Sequence, residues 1–176
     1  MQAPRQEEVT LETERLLLRA FRGADWEAYA AMCADPEVMK FLGTGVTLGR
    51  DDAWRSMAGI LGHWRLLGYG MFAVELKATG DLLGRVGYLD PPGWPGFELG
   101  WVLGRPYWGK GYATEAAKVA RDHAFGPLGK ERLISLIRPG NAPSIRVAER
   151  LGERLAGEVE LLGSKALVYE LVRKPA

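Results

Sequence analysis

The segment "RPYWGKGYATEA", residues 105–116, determines the fold expected for this chain. Its two glycines, Gly109 and Gly111, stand between a strand-like run at 97–103 and an alanine-rich helical pattern. Glycine permits positive φ and lets a ligand approach the backbone closely. The N-terminus of the following helix offers unpaired N–H groups and the positive end of a dipole. The segment predicts a phosphate-binding loop, although an ordinary turn accounts equally well for the loop taken alone.

Composition indicates one soluble domain. The chain has 176 residues, of which 47% are hydrophobic, and this is enough for a single core. We expect a flexible arm over residues 1–12 and one domain over residues 13–174. The 23 basic and 22 acidic residues nearly cancel, which argues against nucleic acid as a partner.

The chain carries no obvious signal for export, for a membrane or for a metal. Its single cysteine, Cys33, excludes an internal disulfide and fits a reducing compartment. We find no signal peptide and no run of about 18 apolar residues. No Cys, His or Asp spacing is typical of a metal site. These observations predict a cytoplasmic protein without a membrane partner or a metal.

The apolar patterns around the loop give an order of elements. A strand near 15–21 precedes two helices, then a meander of three strands ends at 97–103. The loop and its helix follow, then a strand, a short helix and a closing hairpin around Gly163. A meander joined to one strand–loop–helix–strand crossover predicts an α+β fold. Its sheet should be antiparallel except at that crossover.

Two common phosphate-binding motifs do not fit the loop. A nucleoside-triphosphate loop needs four residues between its first glycine and Gly-Lys-Ser/Thr, and "GKGYAT" lacks that spacing. A dinucleotide-binding fold opens a parallel sheet with G-x-G-x-x-G, whereas a meander precedes this loop. Another class of anion site and an ordinary turn remain as interpretations of the loop taken alone.

The loop and its neighbours resemble a known family. The runs "ELGWVLGRPYWGKGYATEAA" (98–117) and "NAPSIRVAERLG" (141–152) resemble the GNAT superfamily of acetyl-CoA-dependent N-acetyltransferases. The opening "LETERLLLRAF" and the turn "DPEVMKFLG" are similar to the branch that includes the ribosomal-protein N-terminal (Rim-type) acetyltransferases. The superfamily loop Q/R-x-x-G-x-G/A falls on residues 108–113, with Trp108 in the place of the usual Gln or Arg.

The resemblance implies a fold and a cosubstrate. The expected fold is a mixed, mostly antiparallel sheet whose fourth and fifth strands splay apart, with helices on its faces. Acetyl-CoA would place its pantetheine arm in that gap and its pyrophosphate on the glycine loop, where N–H groups and a helix dipole suit an anion. The residues expected to bind it are Trp101, Val102, Leu103, Trp108, Gly109, Lys110, Gly111, Tyr112, Ala113, Thr114, Asn141 and Ser144.

The resemblance also implies catalytic roles. Glu98 is the candidate general base that takes a proton from the acceptor amine, and an ordinary structural carboxylate is the alternative. Many members of the superfamily protonate the leaving thiolate with a tyrosine, but the matching position here is Ala148. In this branch Ser144 is the candidate hydrogen-bond donor instead. Asn141 either caps the short helix of the run 141–152 or binds the pantetheine amide.

Two functions follow from these expectations. The first is an acetyl-CoA-dependent N-acetyltransferase that acts directly on a primary amine, either a protein N-terminus or a small molecule. The alternative is a non-catalytic module that binds or senses acyl-CoA, which the missing tyrosine suggests. His63 lies on the helix that covers the acceptor side in related folds. We expect the chain to act as a monomer or as a homodimer.

Overall fold

The computed structural model describes residues 9–173 and contains one eight-stranded sheet with helices on both faces. The strands are β1 (Leu11–Glu12), β2 (Leu16–Arg19), β3 (Met71–Leu76), β4 (Leu82–Leu89), β5 (Glu98–Leu103), β6 (Arg132–Ile137), β7 (Arg154–Leu161) and β8 (Ser164–Val172). The α-helices are α1 (Trp26–Cys33), α2 (Pro36–Met39), α3 (Arg50–Leu67), α4 (Tyr112–Phe125) and α5 (Ala142–Leu151). Short 3₁₀ turns precede α1 and α4, at Gly23–Asp25 and Arg105–Tyr107.

The sheet has the predicted α+β topology. Its strand order is β1-β2-β3-β4-β5-β6-β8-β7. Only β5 and β6 pair in parallel among the described strands, and α4 connects them. The closing hairpin places β8 beside β6 and leaves β7 at the edge. None of the helices within residues 9–173 combines the length and the apolar character that crossing a membrane requires.

The predicted N-terminal arm needs correction. Residues 1–8 of that arm lie outside the described residues. Leu11–Glu12, which the prediction also assigned to the arm, form β1 and pair with β2 through Leu11 and Leu18. The prediction of a flexible arm is therefore wrong for these two residues, whose strand character depends on a partner strand that follows them.

Alternation along the strands produces two cores. Phe72 and Val74 of β3 point to the face covered by α4, and Met71 and Ala73 point to the face covered by α1 and α3. The four alanines of α4 that face the sheet are fully buried. Their small side chains let α4 lie close to the sheet, as the spacing predicts. This close packing fixes the start of α4 relative to β5.

A buried ion cluster joins β2, β3 and the start of α1. Arg19 donates to both carboxylate oxygens of Asp25 over 2.8 Å and to Glu75 over 2.7 Å. Asp25 also accepts from the Arg22 N–H over 2.7 Å. Burial by itself would raise the pKa of Asp25, but the hydrogen bonds from Arg19 and Arg22 outweigh it and the pKa is lowered. Asp25 therefore fixes the positions of Arg19 and of the 3₁₀ turn that ends at Asp25. Its side chain makes no capping bond to α1.

Replacing Asp25 by Asn should destabilise the fold, because it leaves the buried Arg19 without its main counter-charge. Loss of one partner of a buried pair costs about 3–5 kcal/mol. Since the pKa of Asp25 is lowered on folding, its contribution exists above its ordinary value of 3.8 and is lost as the pH falls through the folded value. Urea unfolding at pH 7 and at pH 3 measures both effects.

Asp52→Asn is the matched control for this experiment. Asp52 forms a pair with Arg55 of the same helix, and both side chains are exposed. Such pairs contribute little. Equal urea midpoints for the two variants at pH 7 would contradict the role given to Asp25.

Candidate active site

The slot between β5 and β6 organises the candidate site. These strands share one bridged pair, Glu98 with Ile134, and the Ile134 N–H donates to Phe97 O over 3.0 Å. Beyond this pair the strands diverge, although β5 continues to Leu103 and β6 to Ile137. They are the fourth and fifth strands of the expected fold, since β1 adds one strand before them. The divergence leaves main-chain groups of β5 available to a ligand.

Alternation along β5 decides which main-chain groups face the slot. The Gly104 N–H donates to a carbonyl of β4 over 2.8 Å, so the main chain of Val102 also points to β4. The main chain of Trp101 and of Leu103 points to the slot. The expected main-chain contact from Val102 is therefore wrong, and its side chain is buried in the core beneath α1 and α3. Trp108 Nε1 donates to Leu103 O over 2.7 Å, which leaves the Leu103 N–H for a ligand.

The glycine loop has the backbone that the sequence predicts. Gly109 and Gly111 have φ values of 73° and 81°, in the left-handed region that favours glycine. Gly111 is the N-cap of α4, and the first main-chain bond of the helix runs from Glu115 N–H to Gly111 O. The N–H groups of the first turn, at Tyr112, Ala113 and Thr114, therefore have no acceptor within the helix. They lie at the positive end of the α4 dipole, where an anion is stabilised.

Residues from the first hairpin hold this loop in place, and the sequence patterns did not reveal them. Arg15 donates to Lys110 O over 3.1 Å and to Glu115 over 2.7 Å. Its guanidinium also lies 4.4 Å from the centre of the Tyr112 ring. Thr13 donates to the same carboxylate of Glu115 over 2.5 Å. These contacts join positions about 100 residues apart, so no local motif could have indicated them.

An open pocket of about 470 Å³ lies beside the glycine loop. It is lined by Thr13, Glu14, Gly111, Thr114, Glu115, Lys118 and Arg150. Lys118 of α4 and Arg150 of α5 are both exposed and bring positive charge to this side of the loop. An anionic ligand on the α4 N-terminus would therefore meet basic side chains in the same pocket. No sequence pattern had indicated that Lys118 or Arg150 belongs to the site.

Glu98 is a buried carboxylate at the start of the slot. It is 8% exposed and accepts from Trp94 Nε1 over 2.7 Å. Burial raises the pKa of the Glu98 carboxyl to about 7, while hydrogen bonds from Trp94 and from the Leu136 N–H, and the charge of Arg85, act to lower it. A carboxylate with a pKa near 7 is matched to general-base chemistry at neutral pH.

Two other carboxylates, Asp90 and Glu75, lie in different surroundings from Glu98. Asp90 follows Leu89, the register partner of Glu98, and accepts from the Tyr69 hydroxyl over 3.1 Å. Glu75 is paired with Leu82, at the far end of β4, and is bound by Arg19. Seven residues of strand separate the two ends of β4 by about 23 Å. Glu75 is therefore remote from the slot, whereas Asp90 is near it.

Asn141 and Ser144 lie at the start of α5. The Asn141 side chain is the N-cap of α5 and accepts from the Ser144 N–H over 3.4 Å, which is a long hydrogen bond. Ser144 is half-buried, and within residues 9–173 no hydrogen bond joins it to Glu98. Ala148, one turn further along α5, is fully buried against Ile137 and Tyr169. The position that holds a tyrosine in many members of the superfamily thus holds a buried core alanine in this chain.

Both histidines have structural partners. His63 Nδ1 donates to Tyr69 O over 2.7 Å, because a carbonyl can only accept, and its Nε2 accepts from the Asp90 N–H over 3.2 Å. Both ring nitrogens of neutral His63 are therefore used. His123 Nδ1 lies 2.9 Å from the Tyr88 hydroxyl, beneath the sheet. Within residues 9–173 no group of three or more His, Cys, Asp or Glu side chains could hold a metal ion.

Comparisons with known proteins agree with this geometry. Residues 15–154 match the family model described as "Acetyltransferase (GNAT) domain". The uncharacterized N-acetyltransferase YnaD of Bacillus subtilis (strain 168) is 33% identical over 147 residues, which cover 84% of each chain. An acetyltransferase structure from Agrobacterium tumefaciens str. C58 is 34% identical, with a TM-score of 0.84 over 98% of this chain and 99% of that chain.

A Rim-type structure shares the fold at lower sequence similarity. Mycobacterium smegmatis RimJ in complex with CoA-disulfide is 21% identical, with a TM-score of 0.73 over 89% of this chain and 81% of that chain. The family model covers β2 to β6, and with them the slot, the glycine loop and α5. The slot and the glycine loop thus lie within the matched region, and this chain belongs to the GNAT acetyltransferase family.

Proposed function

We propose that this protein transfers the acetyl group of acetyl-CoA directly to a primary amine, either a protein N-terminus or the amine of a small molecule. The observation that carries the proposal is Glu98, a buried carboxylate with a pKa of about 7 at the start of the slot between β5 and β6. The slot opens between parallel strands beside a glycine loop at a helix N-terminus. The slot thus suits the thioester arm, the glycine loop suits the diphosphate, and Glu98 supplies the base.

The cosubstrate would lie along β5. Trp101 and Leu103 offer main-chain groups to the pantetheine amides, and the Leu103 N–H is placed to polarise the thioester carbonyl. The pyrophosphate would bind the N–H groups of residues 109–114, with basic charge from Lys118 and Arg150 nearby. Several N–H bonds contribute more to such binding than the helix dipole, which supplies about 1 kcal/mol.

Transfer would proceed without a covalent enzyme intermediate. Glu98 takes a proton from the ammonium form of the acceptor, directly or through water, and the neutral amine attacks the thioester carbon. A C–N bond forms, the C–S bond breaks, and the CoA thiolate leaves with its electron pair. The second proton on the attacking nitrogen passes to that sulfur, directly or through water, which gives the neutral amide and the CoA thiol. Ser144, at the start of α5, is assigned to donate a hydrogen bond to that thiolate, because Ala148 supplies no hydroxyl.

The pKa of the base favours one class of acceptor. An α-amine has a pKa of about 8, whereas a lysine side chain has about 10.4. A carboxylate with a pKa of about 7 is much closer to the first value, so less free energy is needed to move the proton. The N-terminus of a protein or peptide, or a small amine of similarly low pKa, is therefore the better substrate.

A thiol-release assay tests the function. The protein is incubated with acetyl-CoA and a panel of amines: peptides with a free N-terminus, the same peptides N-blocked but carrying lysine, polyamines and aminoglycosides. We expect release with free N-termini or with a small amine of low pKa, and mass spectrometry should show the acetylated amine. Tight acetyl-CoA binding without release on any amine would favour the non-catalytic sensing module instead.

The glycine loop should be sensitive to charge at position 111. Gly111→Asp adds a negative charge where the proposal places a diphosphate, and Gly111→Asn adds a side chain of the same shape without the charge. Asn is also among the residues that best tolerate positive φ. We expect calorimetry to show weaker acetyl-CoA binding for both variants and clearly weaker binding for the Asp variant. Equal affinities for these two folded variants would refute the phosphate assignment.

Removing the base should produce a rate loss that depends on pH. Glu98→Gln preserves shape and an acceptor for Trp94, but it removes basicity. With acetyl-CoA saturating, we expect a rate loss of about 10²–10⁴-fold near pH 7 and little change in acetyl-CoA affinity. The wild-type rate should rise through about pH 7 as Glu98 ionises. The loss should shrink as the pH approaches the pKa of the acceptor, where free amine is abundant.

Two further variants make the rate against pH interpretable. Asp90→Asn removes the neighbouring carboxylate and should leave the rate near the wild-type value. Ser144→Ala should slow thiolate departure at every pH, without recovery in alkaline solution. If Glu98→Gln stayed within about twofold of wild type at pH 7, Glu98 would not be the base.

A further inference from the structure

The ladder between β5 and β6 ends where a side chain takes the acceptor of its next main-chain bond. In a continuous parallel pair, the Leu136 N–H would donate to Leu99 O after the observed bond from Ile134 to Phe97. Instead, Leu99 O accepts from the Ser135 hydroxyl over 2.7 Å. The Leu136 N–H acts on the Glu98 carboxylate, whose pKa it lowers. A side chain thus replaces the main-chain donor to Leu99 O at the point where the slot begins.

Ser135 has a second partner in Glu153, the residue after α5. Ser135 Oγ lies 3.0 Å from Glu153 Oε1, and the two side chains are 2% and 3% exposed. A hydroxyl has one hydrogen, and a carbonyl oxygen can only accept, so that hydrogen belongs to Leu99 O. The remaining bond requires the hydrogen to come from Glu153. The geometry is therefore that of a protonated carboxyl that donates to Ser135 Oγ.

The surroundings of Glu153 also favour its neutral form. Its Oε2 is buried and has no hydrogen-bond partner within the described part of the chain. From β5, the charge of Glu98 repels an ionised Glu153, and from α4, Arg121 attracts it. Arg121, however, donates to Leu151 O and pairs with Asp122.

The other neighbours add little charge. Tyr169 of β8 is the register partner of Ser135, and Glu149 and Arg150 of α5 are exposed. Burial, with the Glu98 charge adding to it, raises the pKa of Glu153 to about 8, against the charge of Arg121.

We propose that Ser135 and Glu153 are positioning residues that keep the slot between β5 and β6 open, with Glu153 acting in its protonated form. The inference rests on the proposed function in one respect, since it takes the pantetheine arm as the occupant of the slot. Protonated Glu153 orients the Ser135 hydroxyl, and Ser135 holds Leu99 O away from Leu136. Loss of that proton would force one Ser135 hydrogen to serve two acceptors. The slot would then lose its defined width.

Acetyl-CoA affinity against pH tests the pair in the intact protein. Glu153→Gln retains a donor for Ser135 at every pH, because an amide N–H does not ionise. We expect the variant to bind acetyl-CoA as wild type does at pH 7. Between pH 7 and pH 9.5 the acetyl-CoA affinity of wild type should fall by about fivefold, which is the size expected of one buried hydrogen bond. The affinity of the variant should not fall. The control Glu149→Gln makes the same change on the exposed face of α5 and should follow wild type.

Ser135→Ala separates positioning from general stability. It should raise the KM for acetyl-CoA by about fivefold at all pH values while leaving kcat within about twofold, because the base and the acceptor are untouched. An unchanged KM would overturn the positioning role. Identical pH profiles of affinity for wild type and Glu153→Gln would overturn the role of the protonated carboxyl.

Unfolding of the free protein tests the protonated form without any ligand. A carboxyl whose pKa rises on folding from 4.5 to about 8 stabilises the fold fully below pH 4.5 and loses that contribution as the pH rises through 8. Between pH 5 and pH 9 the urea midpoint of Glu153→Gln should therefore rise relative to that of wild type. The urea midpoint of Glu149→Gln should not rise relative to wild type. A constant difference would overturn the inference. If wild type bound no acetyl-CoA, the proposed function would fail, and this measurement would still decide the state of Glu153.

Discussion

The site depends on one constraint, the interruption of main-chain hydrogen bonding between β5 and β6. A strand in the middle of a sheet normally has partners on both sides, and unpaired main-chain groups in a protein interior are costly. Here β5 remains fully paired with β4, so its position and twist are fixed. On the other side its groups are released after a single bridged pair. The released groups form a rigid, extended acceptor and donor row, which suits an arm of amide groups.

The same constraint explains why the glycine loop lies where it does. The loop follows β5 directly, and α4 must then return along the sheet to reach β6. Its four buried alanines bring α4 close to the strands, so the N-terminus of the helix opens next to the slot. Arg15 and Glu115 attach the N-terminus of α4 to the hairpin of β1 and β2. This attachment matters because a mobile loop would bind an anion less well.

Sequence patterns predicted what is local and missed what is long-range. The order of the strands from β2 onward and of the helices other than α2, the parallel crossover and the positive-φ glycines were predictable, because period, turn chemistry and helix caps are set by near neighbours. The four-residue helix α2 was read as a turn, because it is too short to show a helical period. β1 was missed because a two-residue strand has no period of its own. Val102 was misassigned because a motif gives positions but does not say which side of a strand its main chain faces. Arg15, Lys118 and Glu153 were missed because each reaches the site only through tertiary packing.

The two buried carboxylates at the slot differ in the donors that reach them, and this difference places the negative charge. Glu98 accepts a hydrogen bond from Trp94, the Leu136 N–H also lowers its pKa, and such donors favour the charged form of a carboxylate. Glu153 meets one hydroxyl whose hydrogen is already used, and one of its oxygens has no partner in the described structure. Like charges in a low-dielectric interior repel strongly, so the proton shared by such a pair stays on the carboxyl with fewer donors. The ionised group is then Glu98, and the neutral Glu153 keeps its neighbour available as a base.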